Sequence, residues 1–134
     1  MKRVHLLRVE ADAKSFEGLV SAVRDDGGRV GWLELGDADP PWSLAGPTGA
    51  GVARAVAAGA RHTISVKPRS GAPVLRDLVR EHFLGCRVVL IRGEIDAPAL
   101  TVDGETWTVV RGDAAKSYSV EELVRALRAP RPFD

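Results

Sequence analysis

Apolar and polar positions recur with two different periods along this chain, and each change of period marks the end of one element and the start of another. Residues 4–9 (VHLLRV) read as a first strand. A helix over residues 15–24 follows, because Phe16, Leu19, Val20 and Val23 share one face while Lys14, Glu17, Ser21 and Arg24 take the other. Asp25, Asp26, Gly27 and Gly28 supply turn chemistry, and residues 30–35 (VGWLEL) read as a second strand.

The clearest pattern lies in residues 61–93. Thr63, Ile64, Ser65 and Val66 alternate as a strand; Val74, Leu75, Leu78, Val79, His82 and Phe83 recur at helical spacing; Gly85 ends that helix. The continuous run Val88 to Ile91, led by Cys86, is too short for a helix and suits a strand covered on both faces. A strand, a helix and a strand in this order predict a parallel crossover. Between the two predicted crossovers, residues 36–51 lack periodicity and carry prolines and glycines, and an Ala-rich helix is expected over residues 50–58.

Downstream, Asp103-Gly104 predicts a two-residue turn joining two strands over residues 99–110, with Leu100 opposite Trp107 and with Leu100, Val102, Trp107 and Val109 on one face. Ser119 and Glu122 form the pattern of a capping box, and Val120, Leu123, Val124 and Leu127 supply the apolar stripe of a last helix. The expected fold is one α/β domain: a mixed sheet of five or six strands, parallel through βαβ units, ending in an antiparallel hairpin and covered by helices.

Composition narrows the function classes. With 134 residues, 45% of them apolar, the chain suits one globular domain. A net charge of +1 gives no general attraction to nucleic acid or an anionic membrane. No stretch has the length of a membrane span, and Arg8 and Glu10 interrupt the first apolar run, so neither a membrane nor a leader is expected. The lone Cys86 forms no internal disulfide and suits a cytoplasmic setting. Asn and Gln are absent and Arg outnumbers Lys, as in proteins from hot environments and equally in products of GC-rich genomes.

Three groups of residues could carry chemistry. Lys67, Arg69, Ser70 and Gly71 precede the central helix, where free backbone amides and two cations suit a phosphate or carboxylate; the same residues also suit a plain helix cap. Gly46 and Gly51 have the glycine spacing of a phosphate loop, but Val52 and Ala53 replace its lysine and hydroxyl, so no P-loop is expected there. Glu10 after the first strand, with Asp37 and Asp39 after the second, could hold Mg²⁺ if the strands run parallel. That arrangement resembles a Toprim domain, whose glutamate follows one strand and whose Asp-x-Asp follows a later one. The likeness covers about the first forty residues and omits a strand and helix of that family. It implies Mg²⁺-dependent phosphoryl transfer or phosphoester hydrolysis, with Lys67 and Arg69 holding the phosphate.

His5, His62, His82 and Cys86 lack the spacing of a zinc site. Arg61, Arg69, Arg76, Arg80 and Arg87 make a mixed surface with neighbouring acids, which argues against a nucleic-acid interface. Trp42, after two prolines, is expected to plug the core. The favoured expectation is a noncatalytic binding or accessory protein, with no cofactor, taking a small anion or a protein partner or assembling with itself. The alternative is the Mg²⁺ enzyme.

Overall fold

The computed structural model describes residues 4–35, 55–67 and 71–133. In chain order these form β1 (His5–Val9), a 3-10 turn (Ala13–Phe16), α1 (Glu17–Asp25), β2 (Val30–Glu34), β3 (Ala55–Ala58), β4 (Thr63–Val66), α2 (Leu75–His82), β5 (Val88–Arg92), β6 (Ala99–Asp103), β7 (Thr106–Arg111), β8 (Ala114–Tyr118) and α3 (Val120–Ala126). The chain clusters into two compact units, residues 1–36 with 79–134, and residues 37–78.

The first unit is a six-stranded mixed sheet in the order β2-β5-β1-β6-β7-β8. β5 pairs parallel with β1 on one side, His5 opposite Val88, and with β2 on the other, Val30 opposite Val88. β6 joins β1 in parallel at Arg8 and Ala99, and β6, β7 and β8 then run as an antiparallel meander. Val88, Val89, Leu90 and Ile91 are each fully buried, which explains why this strand alone reads as an unbroken apolar run.

The two faces of β5 are covered differently. Val88 and Leu90 join Leu7 and Val9 in the main core with Phe16, Leu19 and Val23 of the first helical segment and Leu123, Val124 and Leu127 of the last. Phe16 binds the two halves of the sheet together, its ring 6.0 Å from Trp32 of β2 and 6.2 Å from Trp107 of β7. On the opposite face the Phe83 ring lies over Gly31, where a Cβ would sit 2.5 Å from Phe83 Cδ1 and 3.3 Å from Val89 Cγ2. A glycine inside a strand costs stability by itself. Here it admits the ring that covers the neighbouring strand.

Helix ends follow their sequence signals. After α1, Gly27 adopts φ +80, its N–H donates to the Arg24 carbonyl and Gly28 N–H donates to that of Val23, the two bonds of a Schellman ending. Ser119 and Glu122 form both bonds of the capping box; the backbone N–H of Ser119 holds the Glu122 carboxyl below its ordinary range.

Three expectations are corrected. Residues 55–58 form a strand, with residues 50–54 outside the described residues, and β3 pairs antiparallel with β4 in a separate two-stranded sheet, Ala58 opposite Thr63. Thr63 to Val66 therefore supply no parallel partner to β5; those partners are β1 and β2, which also means that β1 and β2 are parallel but not neighbours. Alanine's helix preference is overridden at β3 by cross-strand pairing. Finally, the β6–β7 turn has Gly104 and Glu105 at its centre, so that Leu100 faces Val109 and Val102 faces Trp107. Gly104 takes φ +60 and no described non-glycine residue has positive φ, the requirement of a type II′ turn rather than the type I′ expected of Asp-Gly. The register moves by an even step, so the apolar residues keep their shared face.

Gly31→Val should destabilise the chain by about 1–3 kcal/mol through collision with Phe83, measured by denaturant unfolding. In a Phe83→Ala background the added cost should be much smaller; an equal cost in both backgrounds would exclude the packing explanation.

Candidate functional site

In a parallel sheet, ligands gather beyond the carboxyl ends of the strands. At that end of β2 and β5 the register sets Glu34 beside Arg92. Arg92 Nε donates to Glu34 Oε2 at 3.1 Å, and its Nη1 donates to Asp12 Oδ1 at 2.9 Å in the segment between β1 and α1. Trp32 Nε1 donates to the other Glu34 oxygen at 2.8 Å. Glu34 and then Asp12 raise the Arg92 guanidinium above its ordinary value.

This array is built for holding rather than proton transfer. A guanidinium does not give up its proton near neutrality, and both Glu34 oxygens already accept hydrogen bonds. Residues 10–16 between β1 and α1 also contain no glycine, the residue with which phosphate loops bring backbone amides close to an anion.

A second ion cluster lies at the opposite end of β5. Asp26, at the end of α1, accepts from Arg128 Nε at 2.9 Å, from Arg128 Nη2, and from Arg87 Nη1 at 2.5 Å, while Arg87 Nη2 reaches the Asp26 carbonyl at 3.1 Å. Hydrogen bonds from Arg128 and Arg87 lower the Asp26 carboxyl to about 2. Arg87 and Arg92 thus flank β5 and bind acids before and after α1.

The residues singled out in the sequence are distributed otherwise. Glu10 does follow β1 at the carboxyl end, 86% exposed, accepting from Arg8 Nη1 at 3.4 Å; Asp37 and Asp39 lie outside the described residues. Among the described residues no three His, Cys, Asp or Glu side chains are grouped to hold a metal. Arg69, Ser70 and Trp42 are likewise outside the description, whereas Lys67 and Gly71 are exposed and Gly71 has φ +80. The first bonds of α2 run from Asp77 and Leu78 N–H to the Val74 carbonyl, so Val74 and not Gly71 stands at the start of the helix. Cys86 is half-buried, with its N–H donating to the Phe83 carbonyl at 3.1 Å, and His82 Nε2 lies 3.9 Å from Glu81. Arg87 belongs to the Asp26 cluster, not to an open arginine surface.

Sequence reasoning missed Asp12, Trp32, Glu34 and Arg92. Glu34 and Arg92 each close a strand, a usable signal once β2 and β5 are known to be parallel neighbours.

No family model matches the chain, and no curated protein matches it. A solved structure does: its fold is similar to that of Bacillus subtilis MobB. The likeness has a TM-score of 0.51 at 18% identity and covers 75% of this chain and 69% of MobB. At that identity it establishes the α/β fold.

Because the Asp26 carboxyl falls to about 2 in the folded chain, its contribution to stability is present above the unfolded value near 4 and is lost as pH drops through about 2. Asp26→Asn should therefore lower the unfolding midpoint at pH 7 and flatten the parent's decline in stability between about pH 4 and pH 2. An unchanged acid profile would show that the cluster does not act on folding.

Proposed function

We propose that this chain is a noncatalytic binding or accessory protein of the cytoplasm that takes a phosphate- or carboxylate-bearing ligand, or a protein partner, or a second copy of itself. One observation carries the reading. The charged groups at the carboxyl ends of β2 and β5, where an α/β enzyme would keep reacting groups available, are engaged with one another in the Arg92, Glu34 and Asp12 array. The anion loop of the proposal is Lys67, Arg69, Ser70 and Gly71, whose cations precede a helix and whose glycine has the left-handed backbone of a tight turn.

A second reading keeps the Mg²⁺-dependent phosphoryl chemistry, with Glu10, Asp37 and Asp39 as metal ligands and Lys67 and Arg69 on the phosphate. It is favoured by the parallel course of β1 and β2, whose carboxyl ends, at Val9 and Glu34, lie at the same edge of the sheet.

Inorganic phosphate or a nucleotide should raise the Tm of the parent and raise it less in Lys67→Ala/Arg69→Ala; equal shifts would remove the anion loop. Under the second reading, Mg²⁺ or Mn²⁺ should raise the Tm and Asp37→Ala/Asp39→Ala should abolish the rise. The absence of any metal-dependent shift would end that reading.

A further inference from the structure

The β6–β7 turn, the end of β8 and the first turns of α1 and α3 border an open groove of about 650 Å³, within the range of ligand-binding clefts. Trp107 and Tyr118 line it, and Gly18 of α1 faces the indole, where a Cβ would come into ordinary contact with Trp107 Cζ2 at 3.4 Å. Its rim is acidic from two separate elements, Glu105 in the turn and Glu121 in α3. Among the described residues no lysine, arginine or histidine lines it. Since the whole chain carries a net charge of +1, this negative field is local and does not reflect a generally acidic protein.

Two further features define the occupant. The Tyr118 ring already has a cation of this chain beside it, Lys116 Nζ 5.2 Å from its centroid, so attraction of a further cation falls to the carboxylates Glu105 and Glu121. β8, which contributes Ser117 to the lining, is the outermost strand of the sheet, so an extended segment leaving the groove meets a strand edge.

We propose that this groove docks an extended lysine- or arginine-bearing segment of a partner protein, with a cationic side chain held between Glu105 and Glu121. The proposal rests on the reading of the chain as a binding protein but uses neither the loop at residues 67–71 nor a metal. It therefore stands or falls separately from the anion site.

The test uses the full chain and a fluorescently labelled nonapeptide alternating arginine and serine, titrated at low and high salt. Saturable one-to-one binding that weakens with salt is expected. Affinity should fall by at least about tenfold in Glu105→Lys/Glu121→Lys and by less than about twofold in Glu94→Lys/Asp96→Lys, two exposed acids away from the groove. If the charge-reversed groove variant fails to fold, Glu105→Gln/Glu121→Gln should still weaken binding more than the control pair. No binding by the parent, equal loss in groove and control variants, or occupation of the groove by a second copy in place of the peptide would each overturn the proposal.

Discussion

The complete burial of β5 is the constraint on which the first unit depends. Four consecutive apolar side chains, Val88 to Ile91, project alternately to both faces, so neither face can be left to water. One face is met by Phe16, Leu19 and Val23 beside the residues of α3; on the other, Phe83 reaches over the gap left at Gly31. The hydrogen-bonding edges are met by β1 and β2, both parallel to β5. A charged substitution within this run would lack either a solvent-facing side or a described partner.

Charge reinforces the same arrangement. Arg87 immediately precedes β5 and Arg92 ends it, and the acids they bind, Asp26 and Asp12, stand after and before α1. The helix is therefore tied at both ends to the strand its apolar side covers. Arg128 brings the end of α3 to the Asp26 node, and Glu34 brings β2 to the Arg92 node. Exposed ion pairs are weak individually. Their placement here serves alignment of helix and strands, which leaves the groove bordered by Glu105 and Glu121 as a better candidate for recognition than the strand ends.

Legibility in the sequence followed how much of each element's environment was local. α1, α3, the capping box and β5 were readable because their periodicity or capping residues are contiguous in the chain. β8 was missed: Ala114 to Ser117 are all exposed and only Tyr118 is buried, so the strand lacks alternation, although the two-residue Gly112-Asp113 turn before it was a signal. β3 was read as a helix because alanine favours a helix in isolation, and β4, rightly read as a strand, was given the wrong partner because a strand's partner is not written in its own residues. The same difficulty hid the site. Glu34 and Arg92 are distant in sequence and meet only through parallel pairing, whereas the acidic trio and the 67–71 loop were picked by local residue type.

Native-state amide hydrogen exchange of the full chain tests this account most directly. If β5 is the shared centre of the first unit, the amides of Val89 and Leu90 should exchange only through global unfolding, while those of Ile64 and Ser65 exchange through a separate and much less costly opening. Protection at Ile64 and Ser65 equal to that at Leu90 would instead place residues 63–66 within the same cooperative core and contradict the account.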